Sequence, residues 1–170
     1  MVKSSGNLLT YLLGLASLVL LAVLFFRQLK TKMSLTKKSS INKDATDLYF
    51  LLIEKGFNYQ QARYITAQAG FETAGFTSKI YKQNNNCFGM KLALVRQTTA
   101  IGEKYGHAVY KSVESGVEDF KIYYENFKYL PLYGSLKTYI EAIKKNGYFE
   151  SGLTDYINGT ARYLNEYFSQ

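Results

Sequence analysis

The chain has no tryptophan, and only one proline, one cysteine and one histidine among its 170 residues. A single cysteine cannot cross-link its own chain, so a disulfide scaffold is excluded. The lone proline and the 47% apolar content exclude a collagen-like repeat and a disordered tail. His107 has neither a second histidine nor a cysteine at metal-ligand spacing, which argues against a zinc site. A phosphate-binding glycine loop and a G-x-S-x-G elbow are also missing. Acidic residues are scarce, 13 against 21 basic ones, and the imbalance is local. Residues 1–44 hold seven Lys/Arg and one Asp, a net +6, whereas residues 45–170 hold fourteen against twelve. A nucleic-acid footprint would put the excess on the folded domain, so no nucleic-acid partner is expected.

The remaining composition gives one compact domain behind a hydrophobic segment. Ser4 to Phe26 carries no charge, and Leu8–Phe26 is almost continuously apolar. As a helix those residues span about 28 Å, close to the hydrocarbon thickness of a bilayer. The bulky Leu24-Phe25-Phe26-Arg27 run is unlike a signal-peptide cleavage site, so residues 1–26 are expected to be an uncleaved transmembrane anchor in contact with membrane lipid. Residues 27–44 are expected to be a basic juxtamembrane linker, because Arg27–Lys43 has six basic residues and no acidic one. Residues 45–170 form the domain.

That domain reads as α+β, mainly helical. Asn42 or Asp44 caps a helix that stops at Gly56, and Asn58 with Gln61 in capping-box position opens a second. A Gly- and Asn-rich stretch follows from Gly70 to Gly89. Leu92–Val95 and Ala108–Tyr110 are short β-prone runs separated by Gly102 and Gly106, which predicts a small irregular hairpin. Ser115 with Glu118, then Ser135 with Gly147 as its stop, then Thr154 mark three further helices.

Glu72 is the most informative residue. Ala62, Ile65 and Ala69 share one face of the second helix, and three more residues along that stripe stands Glu72. A carboxyl aimed at a partly buried side has a raised pKa, as a general acid at neutral pH requires. Asn84-Asn85-Asn86-Cys87-Phe88-Gly89 offers amides that suit a hydroxyl-rich ligand, and Gly89 permits close approach. Sixteen tyrosines and eleven phenylalanines supply core, with three or four tyrosines left for a sugar cleft. Cys87 beside Phe88 is expected to be buried, which disfavours a Cys87–His107 nucleophilic pair.

Two motifs carry a resemblance. Ala67-Gln68-Ala69-Gly70-Phe71-Glu72-Thr73, with Asn85-Asn86-Cys87-Phe88-Gly89-Met90-Lys91, resembles the A-Q-A-x-x-E-S/T and N-N-x-F-G-x-K patterns of the peptidoglycan glucosaminidases (glycoside hydrolase family 73). Weaker matches follow at Tyr110-Lys111-Ser112 with Ser115 to Asp119, and at Gly147-Tyr148-Phe149 with Tyr156. The likeness runs from about Asn58 to Phe168. It implies a lysozyme-like fold with a small β lobe, a glycan cleft, and cleavage of the β-1,4 link between N-acetylglucosamine and N-acetylmuramic acid. It implies Glu72 as the catalytic acid, Glu103 as a second carboxylate, and Asn86, Phe88, Tyr110 and Tyr148 as substrate-binding residues. The partner is then the peptidoglycan glycan strand, with no cofactor and no metal. The family's tryptophan is absent from Glu72-Thr73-Ala74-Gly75-Phe76, as is the proline usual after Gly147-Tyr148. A lytic transglycosylase, or an inactive glycan-binding protein of a virion, are the alternatives.

The positive-inside rule puts residues 27–170 in the cytoplasm, whereas a wall enzyme should face the wall. Export despite the bias resolves the conflict. So does a bacteriophage setting, with the enzyme in a virion membrane beside other virion or capsid proteins, or at the host inner membrane until lysis. Alkaline carbonate and high salt are expected to leave the full-length protein in the membrane pellet. Arginines at Leu15 and Val19 add roughly 5–7 kcal/mol to insertion and should release it. A soluble product shortened by about 25–30 residues would instead identify a signal peptide.

Overall fold

The computed structural model describes residues 42–126, 131 and 133–169. The anchor and most of the linker expected from the sequence lie outside them. No helix among the described residues is long and apolar enough to cross a membrane. Asn42, Lys43 and Asp44 are not linker: they are the cap and first turn of α1 (Lys43–Glu54). The Asn42 side chain accepts from the Asp44 amide at 3.0 Å and donates to the Gly75 carbonyl at 2.8 Å, so the cap also ties α1 to a later turn.

Helix α2 (Tyr59–Glu72) starts with the capping box read from the sequence: Asn58 Oδ1 accepts from the Gln61 amide at 2.9 Å, and Gln61 Oε1 from the Asn58 amide at 3.1 Å. It ends in Thr73, whose hydroxyl donates to the Ala69 carbonyl and accepts from the Phe76 amide. Ala74, Gly75 and Phe76 then all adopt positive φ, at 51°, 70° and 64°. The left-handed region costs a non-glycine residue about 1–2 kcal/mol. Burial of the Phe76 ring against Tyr81 and Tyr167 offsets that strain. The turn reverses the chain into α3 (Lys79–Asn84), a six-residue helix capped by Ser78 that the sequence does not announce.

The hairpin is real but smaller than the β-prone runs suggest. Strand β1 (Gly102–Lys104) pairs antiparallel with β2 (His107–Val109), matching Glu103 to Ala108 and Lys104 to His107. Tyr105 and Gly106 make the turn with φ of 58° and 72°, the primed geometry that suits strand twist. Leu92–Val95 is not a strand. Leu94 and Val95 stand almost fully in solvent, at 88% and 101% exposure.

Helices α4 (Val113–Glu125), α5 (Leu136–Lys145) and α6 (Leu153–Phe168) complete the domain. Ser112, not Ser115, caps α4, because its hydroxyl accepts from the Ser115 amide. Gly152, not Thr154, precedes α6, and no side chain caps that helix. Helix α6 lies along α2. Gly159 makes this contact close: a Cβ there would sit 2.2 Å from the Phe71 ring.

One buried ion pair fastens the long 91–101 segment. Arg96 donates twice to Asp119 on α4, at 2.7 and 2.9 Å, and Tyr110 adds a hydroxyl at 2.8 Å. Asp119 is fully buried. Burial alone would push its carboxyl up, but the bonds from Arg96, Tyr110 and Thr98 outweigh it and hold the group below the usual carboxylate range. Its contribution is therefore present above an unfolded value of about 4 and fades as pH falls through the lower folded value. Arg96→Met leaves the charge unpaired and should cost about 3–5 kcal/mol in chemical denaturation at neutral pH. A loss that stayed equally large in strong acid would contradict the assignment.

Candidate active site around Glu72

Gln61, Gln68 and Glu72 follow one another at spacings of seven and four, so they share a narrow face of α2. Each meets a tyrosine from a different helix. Gln61 Nε2 donates to Tyr124 of α4 at 3.3 Å. Tyr139 of α5 donates to Gln68 Oε1. Tyr156 of α6 donates to Glu72 Oε1 at 2.5 Å. Three helices are thus referenced to one polar stripe, and Glu72 is its end.

The second carboxyl oxygen has a different neighbour. Gly89, at φ +62°, brings its backbone so near that a Cβ would lie 3.3 Å from Glu72 Oε2. Tyr148 braces the same loop by donating to the Phe88 carbonyl at 2.7 Å. Burial raises the Glu72 carboxyl above its ordinary value, against opposing effects of the Tyr156 hydrogen bond and the His107 charge. The C-terminal end of α2 adds to the same tendency, since the helix dipole disfavours an anion there. Tyr139, Tyr148 and Tyr156 are pushed well above their usual values, chiefly by burial, so they remain neutral donors.

The asparagine loop is organised inward. Asn84 donates to the Lys104 carbonyl, Asn85 to Tyr110, and Asn86 to both Met90 and Ala108 at 2.9 and 3.0 Å. Asn86 Oδ1 accepts from the Phe88 and Met90 amides. These amides hold the loop to β2 and leave Asn86 fully buried, so it shapes the site without facing a ligand. Phe88 is likewise interior, stacked on Phe120 at 4.1 Å. Tyr110 is buried with its hydroxyl committed to Asp119. Tyr148 is half-buried at the loop. Glu103 is exposed on β1 and makes no hydrogen bond or ion pair among the described residues. By strand alternation it lies on the hairpin face opposite His107. Cys87 is buried and its thiol pushed up by burial, which removes it as a nucleophile. Among the described residues, no three His, Cys, Asp or Glu gather as a metal site.

Sequence reasoning missed Gln68 and the hydroxyl of Tyr156. The seven-and-four spacing of Gln61, Gln68 and Glu72 was a signal for the first. Tyr156 stands in the weaker Gly147-Tyr148-Phe149 motif, but nothing local marks its pairing with Glu72, 84 residues away.

A carboxyl raised by burial favours the native state while protonated and loses that contribution as pH rises through its folded value. Glu72→Gln removes the ionisation. Its melting temperature should match wild type below the ordinary carboxyl value of about 4, and exceed it by a constant margin above the raised folded value. A pH-independent difference would contradict a buried, raised carboxyl.

A family model described as glucosaminidase, mannosyl-glycoprotein endo-beta-N-acetylglucosaminidase, matches residues 53–168. No curated protein and no solved structure matches the chain. The matched span includes Glu72, the asparagine loop, the hairpin and Tyr156. The chain belongs to this glucosaminidase family and is a glycoside hydrolase acting on a glycan.

Proposed function

We propose that the enzyme cleaves the β-1,4 bond between N-acetylglucosamine and N-acetylmuramic acid in peptidoglycan, with Glu72 as general acid. The observation that carries this reading is the unequal setting of the two Glu72 oxygens. Oε1 is occupied by Tyr156, which leaves the transferable proton on Oε2, beside Gly89. As that proton passes to the glycosidic oxygen, the C1–O bond breaks and the carboxyl becomes a carboxylate. The Tyr156 hydrogen bond strengthens as this charge develops, so it stabilises the transition state more than the ground state.

The exposure of Glu103 favours a single-acid route in which the substrate's own acetamido group assists at C1, as some glycosidases do. A lytic transglycosylase shares that economy and is the second reading. In the same proposal Leu8–Phe26 anchors the enzyme in a bacterial or virion membrane, and wall degradation serves phage entry or lysis.

Full-length protein should clear purified peptidoglycan, and Glu72→Gln should lose about 10²–10⁴ of the rate while keeping its fold. Glu103→Gln should change turnover less than about threefold, whereas a loss of a hundredfold or more would restore it as a second carboxylate. Reducing N-acetylglucosamine ends are expected in mass spectra. Anhydro-sugar ends would identify the transglycosylase, and a fully active Glu72→Gln would remove the central assignment.

A further inference from the structure

The loop between α5 and α6 contains an arrangement that neither the acid nor the asparagine loop requires. Lys144, in the last turn of α5, turns its ammonium over residues 149–151. It donates to the carbonyls of Phe149 at 3.1 Å, Glu150 at 3.0 Å and Ser151 at 2.7 Å. Three acceptors use all three of its N–H donors. The same ammonium stands 4.7 Å from the centroid of the Phe149 ring, within cation–π range. A lysine so fully committed fixes the backbone of the loop and the position of that ring together.

The ring in turn covers Tyr156. Phe149 stacks on it with centroids 3.7 Å apart and planes 8° apart. Phe71, the neighbour of Glu72, meets Tyr156 edge-on at 5.1 Å. Phe71 is itself seated against Gly159 of α6. Tyr156 is therefore held by one stacked and one perpendicular ring, and its hydroxyl has Glu72 Oε1 as partner. An aromatic ring held this way has little freedom to swing its hydroxyl off the carboxyl.

The geometry points to Phe149, pinned by Lys144, as a positioning residue that holds Tyr156 on Glu72 and so keeps the transferable proton on the oxygen beside Gly89. This rests on the reading of Glu72 as the acid. Phe149 acts through Tyr156 and touches no reacting atom. Two other roles make different predictions. A ring that contacted the glycan would govern substrate affinity, and a ring that only filled space would affect stability without depending on the Tyr156 hydroxyl.

The test uses the full-length protein and soluble N-acetylated glycan oligomers, with folding checked by near-ultraviolet circular dichroism. Phe149→Ala should lower kcat about tenfold or more while KM stays within about twofold. Phe149→Tyr, which preserves the stack, should return kcat to within about twofold of wild type. Lys144→Met should lower kcat by about threefold, because the ring remains while its tether is lost. The deciding comparison is the double variant. Once Tyr156→Phe has removed the hydroxyl, adding Phe149→Ala should cost less than about twofold more. Multiplicative losses in the double variant would overturn the proposal, as would a rise in KM at unchanged kcat. Should Phe149→Ala fail to fold, Phe149→Leu and Lys144→Met are combined with Tyr156→Phe and read by the same rule. Glu72→Gln, run in parallel, separates the two levels. An inactive Glu72→Gln with multiplicative losses elsewhere refutes the positioning role alone, while an active one refutes the acid assignment beneath it.

Discussion

The hydrogen bond from Tyr156 to Glu72 is the constraint on which the site depends, because it makes two chemically equivalent oxygens unequal. It can form only if α6 lies close along α2, and that approach needs glycine at 70 and 159. A Cβ at Gly70 would fall 2.8 Å from the Tyr167 ring, and one at Gly159 would overlap Phe71. Small residues at a helix contact are usually explained by packing. Here they also set the distance across which the Tyr156 hydroxyl reaches Glu72.

The rest of the polar interior follows the same logic. Burying Gln61, Gln68 and Glu72 along one helix would be expensive if their amide and carboxyl groups lacked partners. Tyrosines from three helices supply a partner to each of Gln61 Nε2, Gln68 Oε1 and Glu72 Oε1 while contributing rings to the core. The asparagine loop uses amides in the same manner, with Asn84, Asn85 and Asn86 spanning to backbone carbonyls of the hairpin and its flank.

What was legible in the sequence was what is local. The Asn58–Gln61 box, the Asn42 cap, the Ser135 cap and the Gly147 stop involve residues a few positions apart, and the structure repeats them. Errors arose where two local signals competed or where the partner was remote. Ser112 and Ser115 are both good caps, and only the path of the chain leaving β2 selects the first. Helix α3 is too short to show a period. The inward placement of Glu72 was legible, from its place on the stripe. Asn86, Phe88 and Tyr110 were expected to bind substrate because the family resemblance implies it. Their burial is decided by Ala108, Phe120 and Asp119, which no spacing rule connects to them.

The separation of Tyr156 from Glu72 along the chain has a further meaning during synthesis. The ties among residues 84–119 bridge about two dozen positions and close small loops, so that part of the domain has a modest entropic barrier to forming. Glu72 waits for a segment 84 residues later. A growing chain therefore carries Glu72 long before it carries its hydroxyl partner. The bond between Tyr156 and Glu72 cannot form until α6 has been made, so this pair closes one of the longest loops in the domain.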